Sequence, residues 1–396
     1  MTEGANGTGL DVFRRVYEDR NAPARAWKER GGKVVGYFCD NVPTELIHAA
    51  GFLPYRISGK PEADLMRVRD QIDALYQNDL ATRPEFVASM LSQLLGSELA
   101  FLDYLIIPHN RHAIQAIYRE LQEAAQENPD LKLPPLHYMD KAWSPFSEPE
   151  GFNRNAVVEL RDALEAWSGR AIDDAAIAAS IEMAETSRSL LREINAARLQ
   201  RPTKVASRAA LWAHAAAMLL PPDQFARAAR AMLDECPGLP ERNGPRLFLG
   251  GSPFDHDRLY ALIDALGATV VTEDHCWGAR TADDYALPQG APLDRLAARF
   301  HAAPACSIRF SFEDTIDASV NRAVSADVDC AIHYVFAGDN TQSWETPDQV
   351  KALRERGIPT LHLAEQRYDC APPEDLKAQI SAFLATVPAR DRRQPA

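Results

Sequence analysis

The stretch KVVGYFCDNVPTELIHAAGFLPYRI (33–57) settles the architecture of the N-terminal half. Its opening, Lys33–Phe38, is a short apolar run of strand length. Pro43 suits a first helical turn, Glu45 favours a helix N-terminus, and Gly51 stops the helix. FLPYRI (52–57) then reads as a second strand. Strand, helix and strand in close succession argue for a parallel sheet covered by helices.

Working outward, residues 9–30 read as one amphipathic helix. Downstream, 84–96 is helical, and Tyr104–Pro108 (YLIIP) is a third strand. A helix follows from His112 to Gln126, with Ile114, Ile117, Tyr118 and Leu121 on one face. LPPLHYMD (133–140) is a short strand running into a loop. Residues 151–235 carry no convincing strand. Their Ala-rich patterns break near Gly169 and at Pro202, Pro221 and Pro222, which predicts three or four helices packed between or beside the lobes. CPGLPERNGP (236–245) is a linker. The alternation then restarts, with strands at 246–250, 269–273, 329–336 and 360–364 and helices at 255–266, 292–301, 312–325, 346–356 and 373–385. The expected fold class is α/β. The expected organisation is an N-terminal helical segment (1–30), a first lobe (31–150), a helical insert (151–240) and a second lobe (241–396).

Composition narrows the function classes. At 396 residues the chain is too long for one typical core. Its net charge of −13 disfavours nonspecific binding to nucleic acid or to anionic membranes, although local arginine clusters can still hold phosphate. No apolar run has the length of a membrane span, and the N-terminus lacks the basic and apolar regions of a signal peptide. The six cysteines include no CxxC pair, so reduced thiols in a cytoplasm are expected.

The densest run of reactive side chains is Glu273-Asp274-His275-Cys276-Trp277-Gly278-Ala279-Arg280, just after a strand. In open α/β sheets the carboxyl ends of strands face the ligand crevice. Glu273, His275 and Cys276 are therefore the catalytic candidates, with His275 suited to proton transfer by its near-neutral intrinsic pKa. Arg280 is a candidate for a phosphate, or for a pair with Asp274. A structural turn, with Glu273 or Asp274 bonding backbone amides, is the alternative. At other strand ends, Cys39-Asp40-Asn41 lies beside a helix N-terminus, which would lower a thiol pKa, while a buried apolar cysteine is the alternative. His109 and Arg111 in PHNRH (108–112) suit phosphate binding or proton shuttling, or plain helix-start capping. Gly250-Gly251-Ser252-Pro253 is either a tight turn or an anion cradle. Asn41, Glu45, His109, Arg111, Ser252 and Arg280 together form the expected substrate-binding set, and no metal ligands are expected.

The run GKVVGYFCDNVPTELIHAAGFLPYRISG (32–59) resembles the N-terminal signature of the 2-hydroxyacyl-CoA dehydratase and benzoyl-CoA reductase family. The resemblance continues through SELAFLDYLIIPHNRHAI (97–114), PRLFLGGSPFDHDRLYALIDALGATVVTEDHCWGAR (245–280) and RGIPTLHLAEQRYD (356–369). It implies two flavodoxin-like parallel-sheet lobes and two homologous subunits around one active site. It also implies electrons from an ATP-hydrolysing iron–sulfur activator and an acyl-CoA substrate.

Members of that family that carry a [4Fe-4S] cluster place cysteines at three positions. Those positions hold Arg83, Pro84 and Glu85, then Asn110 and Arg111, then Gly338 and Asp339 in this chain. Iron–sulfur ligation needs thiolates. The resemblance thus implies a chain that binds no cluster alone, whose homologous partner bears the [4Fe-4S] cluster. Cys39 and Cys276 are expected to meet in the cleft without completing a cluster site. The reading is a subunit of a benzoyl-CoA reductase-like complex. The alternatives are a 2-hydroxyacyl-CoA dehydratase subunit and a non-catalytic binding or assembly protein.

Overall fold

A computed structural model describes residues 8–63, 84–96, 98–144, 146–283, 287–303, 306 and 308–388. The KVVGYF run becomes β1 (Val34–Tyr37), buried along its whole length. A six-residue helix, α3 (Thr44–Ala49), returns the chain to β2 (Leu53–Arg56), which pairs in parallel with β1 from Val34↔Leu53 to Tyr37↔Arg56. On the other side β1 pairs with β3 (Tyr104–Pro108), and β3 with β4 (Leu136–Met139). Leading into this sheet are α1 (Gly9–Glu18) and α2 (Ala22–Glu29), where the sequence predicted one continuous helix. One continuous helix cannot run through Pro23, which lacks an N–H and whose ring clashes with the carbonyl four residues earlier, whereas the first turn of α2 tolerates it.

The second sheet contains β5 (Arg246–Gly251), β6 (Thr269–Glu273), β7 (Cys330–Phe336) and β8 (Thr360–Gln366). The two sheets have the orders β2-β1-β3-β4 and β6-β5-β7-β8, so the halves repeat one crossover pattern. That pattern reverses direction between the first and third strands of each half, β1/β3 and β5/β7, the topological switch point where α/β sheets open a crevice. The expectation of two flavodoxin-like lobes therefore holds.

Flanking helices complete each lobe. The first has α4 (Glu85–Leu95) and α5 (His112–Glu127). The connecting region forms four helices: α6 (Glu150–Ser168), α7 (Asp174–Leu199), α8 (Ser207–Ala217) and α9 (Pro222–Glu235). The second lobe adds α10 (Arg258–Ala265), and α11 (Pro292–Ala302) crosses back to pack Leu293, Leu296 and Phe300 into the first lobe's core beside α6; α12 (Phe312–Ser325), α13 (Asn340–Glu355) and α14 (Pro373–Thr386) follow. α13 starts six residues before the predicted helix and continues through Pro347, because Asp339 caps it by accepting from the Gln342 N–H.

α7 ties the halves together. Its N-terminal part packs Ile177 and Ile181 into the core beneath β1 and β3, among Val35, Leu46 and Ile106. Its C-terminal part puts Leu190, Leu191 and Ile194 into the larger core that contains Leu247, Leu249 and Val270 of the second sheet. Each fully buried Leu or Ile contributes about 1.5–3 kcal/mol. The lobes are therefore held by shared apolar surface as well as by chain connection. Among the described residues no helix is long and apolar enough to cross a membrane.

Candidate functional site

The carboxyl ends of both sheets converge on one cavity of about 40 Å3. Phe38, Cys39 and Asp40 reach it from the end of β1, and Asn110 and Arg111 from the end of β3. Gly251, Pro253 and Asp255 reach it from β5, and His275, Cys276, Trp277 and Arg280 from β6. Arg56, Ile57, Phe86, Met90, Cys306 and Gln342 fill in the walls. Cys39 has φ 61°, the left-handed region that a non-glycine residue seldom occupies, and such positions gather at functional sites.

The loop after β6 divides its residues between two tasks. Glu273 does not face the cavity: both it and Arg198 have side chains that are 0% exposed, and Arg198 donates to Glu273 Oε2 at 2.5 Å. Glu273 Oε1 accepts from the Ala279 N–H at 2.8 Å, and a Cβ on Gly278 would lie 2.3 Å from that same oxygen. The catalytic reading of Glu273 is replaced by the structural one, because its charge is spent on Arg198 and on shaping the turn. Asp274 accepts from Arg280 at 2.9 Å, and burial, which opposes ionisation, is outweighed by Arg280 and Arg322, so its pKa is lowered. Arg280 lines the cavity with this carboxylate already attached.

His275 lines the cavity, but its ring is bound on both nitrogens. Nε2 meets the Tyr260 hydroxyl at 2.7 Å, and Nδ1 accepts from the Trp277 N–H at 3.3 Å. Nδ1 is therefore unprotonated, and the Nε2 proton goes to Tyr260. Burial drives the ring pKa down to about 3. The near-neutral proton relay predicted for His275 is corrected: the imidazole is neutral and positions the loop.

Three thiols line the cavity: Cys39, Cys276 and Cys306. The sequence brought only the first two together. Cys306 was missed because it lies in a segment with no helix or strand periodicity to place it. Burial raises the pKa of all three. For Cys39 this favours the buried-cysteine reading over the lowered thiol pKa: α3 has only six residues, and desolvation outweighs Arg56, whose charge lowers the pKa. All six cysteines are free thiols.

The other predicted binding residues are mostly committed elsewhere. Asn41 donates to the His109 carbonyl at 3.1 Å and accepts from Asn110 at 3.1 Å, clamping the ends of β1 and β3. Glu45 is buried; burial would raise its pKa, yet Arg299 and Arg188 hold it at about 2. His109 Nδ1 contacts Asp140 at 2.5 Å. Arg111 lines the cavity while paired with Asp339 at 2.5 Å. Ser252 donates to Asp339 at 2.7 Å and accepts from the Phe336 N–H at 3.0 Å. The anion-cradle reading of Gly250–Pro253 also fails. The Ser252 N–H donates to the Tyr334 carbonyl, and Gly251, at φ 101°, leaves only 2.3 Å between a would-be Cβ and that carbonyl oxygen.

The positions where a cluster would need cysteines serve other contacts. Arg83 lies outside the described residues. Glu85 accepts from the Tyr368 N–H, Asn110 holds Asn41, and Arg111 pairs with Asp339 beside Gly338. An amide and a guanidinium–carboxylate pair supply no thiolate, so these residues do not fit a cluster at those positions.

The site missed altogether by sequence reasoning is Arg56. Its guanidinium leaves β2, crosses to the second lobe and stacks 4.3 Å from the Trp277 ring centroid. It donates to the Cys276 carbonyl at 2.5 Å and to Cys276 Sγ at 2.9 Å. An arginine in an apolar strand reads as an edge residue, and nothing local signals its crossing. A larger open pocket of about 440 Å3 is lined by Tyr17, Arg20, Tyr55, Lys60, Trp212 and Arg258. Asp255, which lines the smaller cavity, accepts at 2.5 Å from the N–H of Gly59, which lines the larger one, and from Tyr368 at 2.6 Å.

Two parallel-sheet lobes with switch points facing one thiol- and arginine-lined cavity define the class, a two-lobed α/β protein with its crevice between the halves. Within that class, the chain belongs to the family described as 2-hydroxyglutaryl-CoA dehydratase, D-component, whose profile matches residues 39–387. It is 28% identical to a benzoyl-CoA reductase subunit of Thauera aromatica over 301 residues, covering 72% of this chain and 73% of that one. It is 21% identical to the beta subunit of lactoyl-CoA dehydratase of Anaerotignum propionicum over 373 residues, covering 90% of this chain and 92% of that one.

Proposed function

We propose that this chain is one subunit of an ATP-dependent, low-potential acyl-CoA reductase complex resembling benzoyl-CoA reductase. In this reading a homologous partner carries the [4Fe-4S] cluster, and ATP-hydrolysing iron–sulfur activator subunits deliver the electrons. This chain closes the cleft and positions the thioester, with the acyl end toward the cavity and the CoA body along the 440 Å3 pocket. The observation that carries the reading is the similarity to the benzoyl-CoA reductase subunit of Thauera aromatica across 72% of the chain. The cavity chemistry supports it: arginines and thiols line the crevice at the strand ends, where α/β sheets take their ligands, while Arg111–Asp339 occupies positions a cluster would need. Exposed aromatics support a partner surface. Trp344 is 84% exposed, two residues from cavity-lining Gln342, and Phe310, Phe312 and Phe146 are at least half exposed.

A second reading has its own observation. The dehydratase profile and a dehydratase relative aligned over 90% of the chain favour a 2-hydroxyacyl-CoA dehydratase subunit. Anaerobic co-purification from the native host, with iron counted per subunit and both substrate classes assayed, decides between them. The expected result is a heteromer that reduces an aromatic CoA thioester at the expense of ATP, with the isolated chain free of cluster iron. Dehydration of a 2-hydroxyacyl-CoA instead selects the second reading. A monomer holding close to four irons, the content of one cuboidal cluster, overturns the assignment of the cluster to a partner.

A further inference from the structure

We propose that Arg56 is the anchor for a negatively polarised oxygen, a thioester carbonyl or a small carboxylate, bound in the cavity between the lobes. The thioester form of this inference rests on the acyl-CoA reading above; the carboxylate form does not.

Arg56 is 2% exposed. A guanidinium has five N–H donors and stays charged at any working pH. Among the described residues its hydrogen bonds go to neutral atoms: the Cys276 carbonyl, Cys276 Sγ and, at 3.0 Å, Met218 Sδ. Among the described residues its buried Nε–H has no acceptor. Asp40 acts on it through space without a hydrogen bond. The other two cavity arginines differ, since Arg111 has Asp339 and Arg280 has Asp274. Cys276 is not the missing counter-charge, because burial keeps its thiol protonated despite the guanidinium beside it.

A buried charge with no carboxylate hydrogen-bonded to it, and only the longer-range field of Asp40 beside it, is costly for a fold to carry. Phe38, Ile57, Met90 and Trp277 surround this one with apolar wall, which weakens screening and strengthens any N–H···O bond formed there. The cavity volume, about 40 Å3, exceeds the roughly 10–15 Å3 that one water requires. It admits the oxygen-bearing end of a ligand and not the whole molecule. A guanidinium also offers the fork that matches a carboxylate or carbonyl oxygen.

The test is calorimetric titration of the full chain with benzoyl-CoA and, separately, with benzoate. Wild type, Arg56→Gln and Arg56→Lys are compared, each checked for native thermal unfolding. The expected result is thioester binding weakened at least tenfold in Arg56→Gln and only a few-fold in Arg56→Lys. Equal thioester affinity in all three overturns the anchor while leaving the acyl-CoA reading standing. Benzoate binding that depends on Arg56, without thioester binding, supports the anchor and sinks the acyl-CoA reading. No binding of either probe to the wild type overturns both. Should Arg56→Gln fail to fold, the wild type decides through Cys276, whose sulfur touches the guanidinium. Either probe slowing maleimide labelling of Cys276 at least fivefold, mapped by mass spectrometry, supports the anchor, and unchanged labelling overturns it.

Discussion

Glu273→Gln is expected to lower the unfolding free energy by about 3–5 kcal/mol, the cost of leaving one member of a buried ion pair alone. Arg198 and Glu273 are both fully enclosed, and Arg198 also donates to the Val271 carbonyl at 2.7 Å. The glutamine keeps the shape but leaves the guanidinium without its counter-charge. Arg198→Met strands the carboxylate instead and is expected to cost a similar amount. The double variant Arg198→Met with Glu273→Gln removes both charges and is expected to recover part of the loss, since replacing a whole buried pair is often close to neutral. Urea unfolding of the four proteins measures the coupling. A Glu273→Gln chain as stable as wild type would show that the pair contributes nothing, and would reopen the catalytic reading of Glu273.

The second large effect is a pH dependence centred on Lys141. This lysine is 2% exposed, and burial, followed by the nearby charge of Arg309, lowers its pKa to about 7. The amine donates to the Phe300 and Ala303 carbonyls, which a neutral amine can still do, and lies 4.3 Å from the centre of the Trp143 ring. The unfolded chain binds this proton up to about pH 10.4, while the folded chain gives it up near 7. Stability contributed by this group therefore rises from about pH 7 to 10 and is flat below 7. The span amounts to on the order of 4 kcal/mol. Lys141→Met removes that slope. Its stability relative to wild type is expected to be most favourable at and below pH 7 and to decline steadily toward pH 10. The lost hydrogen bonds add a constant offset and leave the slope untouched. Parallel pH–stability curves for the two proteins would show that Lys141 is charged in the fold.

What could be read in the sequence follows from how locally each feature is encoded. VVGY, YLIIP, TVVTE and CAIHYVF are apolar runs of strand length, so the strands and their alternation with helices are legible in the sequence. The parallel sheets followed from that alternation. The loop after β6 was also placed correctly at a strand end, and His275, Cys276 and Arg280 do line the cavity. Roles were harder to read because they depend on partners far along the chain. Glu273 answers to an arginine 75 residues earlier, and Arg111 to an aspartate 228 residues later. His275 looks like a proton carrier until Tyr260 and its burial are known. Arg56 and Lys141 carry no local pattern at all, since one sits in a strand and the other in a loop, and only tertiary packing hides their charges.

The helix α7 has a mechanical meaning as well. At 26 residues and a rise of 1.5 Å each, it is a rod roughly 39 Å long. Arg188, near its middle, is bolted to Glu45 of the first lobe, and Arg198, at its far end, to Glu273 of the second. Prising the halves apart would strain one bolt or the other. A turn of one half about the rod shears one bolt as well, because both arginines belong to one continuous helix, so the helix acts as a spar that fixes the setting of one lobe against the other.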